Sequence, residues 1–284
     1  MPADLPKLPA RPADGHKGTF GRVLVVGGSA DMLGAPILAA TAAYRVGAGW
    51  VQAAMPAAML PAALSVRPEV VGLALAEDDA SENDRKLLDA AEAADVLVVG
   101  PGLGALPHAV KRLAALVRLS KPAVLDADAL NILAAGDAWP KDFALSAVLT
   151  PHPGEMQRLG RLFGDVQIHK DDARRLDQAT AAAKTFGCVV LLKGRRTVIA
   201  EAGRHAFNGT GSVALAKAGT GDVLSGTIGG LLAQGMAPFE AAVLGVHLHG
   251  LAGEIAAERH GVRSVLATEV AEALSEAIRA VEAA

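Results

Sequence analysis

Short runs of β-branched and aliphatic residues alternate with Ala- and Leu-rich helical patterns along most of this chain, and that alternation fixes the class of fold available to it. RVLVVGG (22–28), WVQAAM (50–55), VVGLAL (70–75), DVLVVG (95–100), AVLDAD (123–128), SAVLT (146–150) and VVLLKG (189–194) read as strands. Helical patterns near 36–47, 83–93, 106–119, 155–163 and 170–186 lie between many of them. Strands that are apolar throughout need cover on both faces, so the pattern predicts a mostly parallel central sheet with helices on either side. Residues 197–208 read as an antiparallel hairpin added to that sheet, and beyond 220 only helices are expected, at 221–234, 238–259 and 267–281. There is no internal repeat and no low-complexity linker. Residues 1–284 are therefore expected to form one domain, with 1–17 as an extended, proline-rich arm.

Composition narrows the function. Hydrophobic residues make up 51% of the chain but aromatic ones only 3%, so the core must be built from Ala, Val, Leu and Ile. A net charge of −3 with scattered charges gives no basic stripe, which argues against a nucleic-acid partner. Cys188, the lone cysteine, lies in an apolar run and reads as a small core residue; a disulfide framework or a cysteine-rich metal site is excluded. The N-terminal segment has no apolar core of a signal peptide, and no stretch is long and apolar enough to suggest a membrane span. A soluble, cytoplasmic protein with no membrane partner is the expectation.

The polar and glycine-rich loops fall just past the strand ends: GGSADMLGA (27–35), GPGLG (100–104), DADALN (126–131), TPHPGE (150–155) and KGRRT (193–197). Ligands of open α/β sheets bind beyond the carboxyl ends of the strands, so these loops predict one long cleft. GGSADMLGA lacks the G-x-G-x-x-G spacing, which argues against a standard Rossmann dinucleotide site. The most chemical segment is Gly219-Thr220-Gly221-Asp222, which opens a long apolar helix. Unpaired amides at a helix start attract anions, and an adjacent carboxylate can handle an acceptor hydroxyl, which is what phosphoryl transfer requires. A plain helix start with Asp in its first turn is the alternative. The helix dipole favours the ionised form of Asp222, making it available but a weak base.

The motifs, taken in order, resemble the ribokinase-like superfamily and, within it, the ADP/ATP-dependent NAD(P)HX dehydratases. KGTFGRVLVVGGSADMLGAPILAATAAYRVGAG, VVGPGLG, VLDADALNIL, LTPHPGEMQRL, LLKGRRTVI and NGTGSVALAKAGTGDVLSGTIGGLLAQG carry the resemblance, over most of residues 17–235. It is to the stand-alone form, without the epimerase domain that some relatives carry, and it implies a ribokinase-like three-layer fold. It also implies repair of (6S)-NADHX and NADPHX, whose nicotinamide ring bears an extra hydroxyl at carbon six. ADP or ATP, with Mg²⁺, would phosphorylate that hydroxyl, and loss of phosphate would restore NADH or NADPH. A hydroxyl kinase of the same superfamily and a non-catalytic nucleotide sensor are the alternatives. A homotetramer and a functional link to a separate epimerase are further implications.

The resemblance assigns residues as well. Asp222 is the expected catalytic group and a substrate contact, with Ala35, Gly104 and His152 lining the dinucleotide site. Lys193, Gly194, Arg195, Arg196 and Thr197, with Gly221, are the expected nucleotide contacts. Gly219 is expected to offer an amide to phosphate. Glu155 reads either as a group near magnesium and phosphate or as a helix cap, and the Pro-Gly before it is expected to break the helical geometry that an H-x-x-E metal pair with His152 needs, which argues against a direct zinc site. Asp126, Asp128 and Asn131 read as one loop without separable roles. Asn208 and Thr210 are expected to cap a turn, and His247 and His249 to be core or interface residues. No metal ligands are assigned.

Overall fold

The computed structural model describes residues 5–76 and 81–283. Its first half runs β1 (Arg22–Val26), α1 (Gly34–Arg45), β2 (Trp50–Pro56), α2 (Leu60–Val66), β3 (Val71–Leu75) and α3 (Ser81–Ala93). Then come β4 (Val96–Val99), α4 (Pro107–Leu116), β5 (Pro122–Leu125), α5 (Asp128–Ala135), β6 (Ser146–Leu149), α6 (Pro153–Leu159) and α7 (Asp172–Phe186). The chain ends with β7 (Val189–Leu192), β8 (Val198–Glu201), β9 (Arg204–Phe207), α8 (Thr220–Ala233), α9 (Pro238–His260) and α10 (Ala267–Glu282).

The strands form a nine-stranded sheet in the order β3-β2-β1-β4-β5-β6-β7-β8-β9. β1 to β7 pair parallel, while β8 pairs antiparallel with β7 and with β9, so the expected hairpin closes one edge. Side chains alternate between two cores. Val23, Val25, Val51, Val96 and Val98 face α1, α8, α9 and α10, whereas Leu24, Val26, Leu97, Val99 and Leu125 face the layer of α3 to α7. Each such buried side chain contributes about 1.5–3 kcal/mol of transfer free energy.

Strand order reverses between β1 and β4, and there the amide of Gly28 donates to the carbonyl of Pro101 at 3.0 Å. α8 lies against both α1 and the sheet. A Cβ on Gly226 would fall 1.9 Å from the carbonyl oxygen of Ala39, so glycine is required for that approach. The expected arm is not free where it is described: Leu5 and Leu8 pack on the core and Arg11 donates to the carbonyl of Gly47 at 2.8 Å. Residues 1–4 of that arm lie outside the described residues.

Two helices depart from expectation. α2 lies in a stretch whose prolines, Pro56 and Pro61, interrupt the apolar period; Pro61 falls in the first turn, where its missing amide is tolerated. α5 begins inside the segment read as a loop, so Asp128 and Asn131 are helical. Among the described residues no helix is long and apolar enough to cross a membrane.

Candidate active site

Four strand ends meet the start of α8. Asp126 follows β5 and is 1% exposed; its Oδ1 accepts from the Lys193 ammonium at 2.8 Å and its Oδ2 from the Ser225 hydroxyl. Lys193 follows β7, fixed by its own amide on the carbonyl of Pro151 at 2.8 Å. Burial alone would push the Asp126 carboxyl up, but the Lys193 charge and hydrogen bonds from Lys193, Ser225 and Thr150 hold it below the usual range. Lys193 is held above its ordinary range: burial opposes its charge, but Asp126 and Glu155 more than compensate.

Asp222 is the third residue of α8, above this ion pair. A Cβ on the neighbouring Gly221 would lie 3.5 Å from the Lys193 ammonium and 3.9 Å from Asp126. The amides of Gly221 and Asp222, in the first turn of the helix, have no intrahelical acceptor. Burial is the main cause that pushes Asp222 up to about 7, followed by the Asp126 charge, with Lys193 opposing and Asp128 and Glu155 adding. The helix-dipole expectation of a weak base is therefore overturned, because burial beside an ionised carboxylate outweighs the dipole. Gly219 caps α8 at φ +90°, and a Cβ there would press on Ala267 and Leu38.

His152 and Glu155 form a reciprocal cap on α6. The imidazole Nδ1 accepts from the amides of Gly154 (2.9 Å) and Glu155 (3.4 Å), and Glu155 Oε2 accepts from the His152 amide at 2.8 Å. Pro153 and Gly154 are accommodated in the first turn of α6, because proline at the first helical position needs no amide partner, and His152 stands just outside the helix as its cap. Glu155 Oε1 thus comes 3.4 Å from His152 Nε2, and Oε2 lies 3.8 Å from Lys193. Burial pushes Glu155 up to about 7 against the Lys193 charge. Burial also lowers His152, and an Nδ1 that accepts two amides leaves the ring proton of the neutral imidazole on Nε2.

The remaining expected substrate residues lie in the adjoining loops. The Gly104 amide donates to Asp128 Oδ2 at 2.8 Å, Asn131 donates to Asp128 Oδ1 at 3.3 Å, and Arg158 of α6 donates to Asn131 at 2.9 Å. This chain ties the GPGLG loop to the His152 helix and separates the roles of Asp126 and Asp128. Ala127 between them takes φ 49° and ψ −116°, a conformation costly for any residue with a Cβ. Ala35 stands close to the same GPGLG turn: a Cβ on Gly102 would be 3.2 Å from it.

A cavity of about 580 Å³ opens on the other side of Lys193. Lys193, Gly194, Arg195, Thr197 and Gly221 line it, whereas Asp222, His152, Ala35, Gly104 and Arg196 do not. The expected single cleft is thus a cavity and a carboxylate cluster, with Lys193 in both. Arg196 turns away, paired with Asp172 at 2.8 Å and lying over the Phe207 ring. Thr197 donates to the Gly194 carbonyl at 3.2 Å and so shapes the turn.

Several contributors were not apparent in the sequence. Arg175 of α7 is 6% exposed and donates to the carbonyls of Arg196 (2.7 Å) and Leu192 (3.1 Å), holding the KGRRT turn. His249 is buried as expected, but it also lines the cavity and donates to the Thr220 carbonyl at 2.9 Å, with burial pushing it down to about 4. Asn208 and Thr210 form the expected local turn, and Thr210 docks it on the His247 carbonyl at 2.9 Å. Cys188 is buried, which pushes its thiol up to about 12.

The family model described as NAD(P)H-hydrate dehydratase matches residues 23–276. An ADP-dependent (S)-NAD(P)H-hydrate dehydratase from Neisseria meningitidis is 43% identical over 273 residues, covering 93% of this chain and 87% of the relative. A bifunctional NAD(P)H-hydrate repair enzyme from Moorella thermoacetica is 44% identical over 289 residues, covering 97% of this chain. The chain spans about half the length of such bifunctional relatives, 52% in that case. Among solved structures, an ADP/ATP-dependent NAD(P)H-hydrate dehydratase from Bacillus subtilis, co-crystallised with ATP/Mg²⁺, superposes with a TM-score of 0.82 at 32% identity, covering 96% of this chain and 94% of that one. A ribokinase from Thermotoga maritima superposes over 93% of this chain and 100% of its own with a TM-score of 0.56 at 14% identity, which shows a ribokinase-like fold and nothing more.

Proposed function

Because this chain belongs to the NAD(P)H-hydrate dehydratase family, we propose that it returns (6S)-NADHX and NADPHX to NADH and NADPH at the expense of a nucleoside polyphosphate. One observation carries the reading: Asp222 shares a charged cluster with Lys193, and Lys193 lines a cavity of a size suited to a nucleotide. Lys193, Gly194, Arg195, Thr197 and Gly221 make up the nucleotide side, with Lys193 and the amides of Gly221 and Asp222 facing phosphate, while Arg196 is engaged elsewhere by Asp172. Ala35, Gly104, His152 and Asp222 make up the side of the hydrated dinucleotide.

Asp222 takes the proton of the ring hydroxyl as its oxygen bonds to the terminal phosphorus. The bond from that phosphorus to the bridging oxygen breaks, and with ADP the leaving group is AMP. The phosphate ester then departs as phosphate, expelled by the ring-nitrogen lone pair, where hydroxide would be a poor leaving group. Lys193 and the two helix amides stabilise charge on the transferred group. Magnesium, when bound, would neutralise charge on the nucleotide phosphates.

The reading further places the protein in the cytoplasm, where reduced nicotinamides and nucleotides are found, as a homotetramer with a functional link to an epimerase. The exposed Val262 and Leu266, between α9 and α10, support a subunit contact there. The bifunctional relatives support a link to a second repair activity. Incubation with NADHX and either ADP or ATP tests the activity: the NADH absorbance band returns. If neither nucleotide restores it, the dehydratase reading is wrong; a stable phosphorylated product would make the protein a hydroxyl kinase instead. Light scattering tests the assembly.

A further inference from the structure

The dehydration removes two protons from two different atoms. One leaves the hydroxyl on ring carbon six before phosphorylation. After phosphate departs, ring nitrogen one and carbon six form an iminium cation, and the second proton must leave carbon five for the ring to become a dihydronicotinamide. Asp222 has by then already taken the first proton, so a second acceptor is needed.

The neighbouring groups are occupied. Both oxygens of Asp126 are engaged, by Lys193 and Ser225. Those of Asp128 are engaged by Gly104 and Asn131. His152 spends Nδ1 on two backbone amides and carries its proton on Nε2, so it has no lone pair to offer. Glu155 differs. Its Oε2 is fixed by the His152 amide at 2.8 Å, but Oε1 has only His152 Nε2 at 3.4 Å. It is 4% exposed, and the charged groups around it are Lys193, Asp126 and Arg158.

We propose that Glu155 is the second proton acceptor, taking the proton from ring carbon five while the C–H electron pair becomes the carbon five–carbon six double bond and neutralises the iminium nitrogen. The proposal rests on the dehydratase reading above. Burial, which lifts Glu155 to about 7, suits it to the task near neutral pH. The His152 amide positions the carboxylate by donating to Oε2.

Single-turnover reactions of the wild-type protein and Glu155→Gln with NADHX and ADP test this, following AMP formation and NADH absorbance separately. Glutamine keeps the capping hydrogen bond to the His152 amide, so α6 is preserved. AMP should form within about threefold of the wild-type rate, while NADH recovery slows by about 10² or more. Phosphate should be released along with AMP, and the stalled iminium should take up water at carbon six and return the hydrate, so that ADP is consumed without matching NADH. Glu155→Asp, which keeps a carboxylate, should show the same split with a smaller lag, and it serves alone if the Gln variant does not fold. The proposal is overturned if both readouts slow in parallel, or if NADH recovery is unchanged, which would mean that the departing phosphate takes the proton. A wild-type protein that never restores NADH overturns the dehydratase reading itself.

Discussion

Ser225, one turn into α8, donates its hydroxyl to the Asp126 carboxylate across a sequence separation of 99 residues, while also lying 2.8 Å from the carbonyl of Gly221. It is fully buried and joins the end of β5 to the turn that carries Asp222. Ser225→Ala leaves a buried carboxylate short of one donor, at a cost of about 1.5–3 kcal/mol. Chemical denaturation should report that loss, and turnover should fall as the first turn of α8 loosens. Unchanged stability would show that the link carries no load.

Lys193→Met leaves Asp126 buried without its cation. Breaking such a pair costs about 3–5 kcal/mol, so the melting temperature should drop by many degrees. Calorimetric titration with ADP should show weakened binding as well. Lys193→Arg should not restore either property fully, because the guanidinium is larger and planar where the site accepts a compact charge.

Asp222→Asn separates chemistry from binding. Turnover should fall by about 10²–10⁴, with the ADP dissociation constant changed only a few-fold. Stability should move the other way. The folded protein holds the Asp222 proton up to about pH 7 whereas the unfolded chain releases it near 3.8. The unfolded state thus binds fewer protons between those values, and stability falls as pH rises through that window. The Asn variant should melt higher than the wild type at pH 8, and the two should converge below pH 4.

The same raised carboxylates set the pH profile of activity. With Asp222 and Glu155 both near 7, kcat/KM should fall steeply on acidification below neutrality, since each must be ionised to accept a proton. A profile flat down to pH 5 would remove both from the proton transfers.

Ala127→Gly tests the kink between Asp126 and Asp128. Relief of a conformation costing about 1–3 kcal/mol is partly offset by glycine's extra freedom when unfolded, about 0.5–1 kcal/mol. A rise of a few degrees in melting temperature is expected. If activity falls at the same time, the kink also holds the two aspartates in their separate directions.

How much of this was legible depended on range. The strands and most helices follow from local periodicity, and the β8–β9 hairpin from its alternation, all signals contained within a dozen residues. α2 escaped because Pro56 and Pro61 disrupt the period, and α5 because Asp and Asn at its start also suit a turn. The resemblance assigned Asp222 and His152 to the substrate and Lys193 to the nucleotide, yet it could not show that Asp126 and Lys193, 67 residues apart, form one ion pair. Nor could it show the lift in Asp222, which depends on burial summed over several elements. Arg175 and Ser225 looked like ordinary helix residues because their partners lie on other strands.

α8 is walled in: residues Val223–Leu232 are buried, and Gly226 already touches the backbone of α1. An element so enclosed has no room to slide or tilt when ligands arrive. The carboxylate at its tip therefore acts as a fixed anvil. Nucleotide and damaged cofactor must each be brought to it within the frame that the surrounding loops set. Selectivity then lies in which molecules can be brought into line with a point that does not move, so changes at the loops should alter what is repaired long before they alter how.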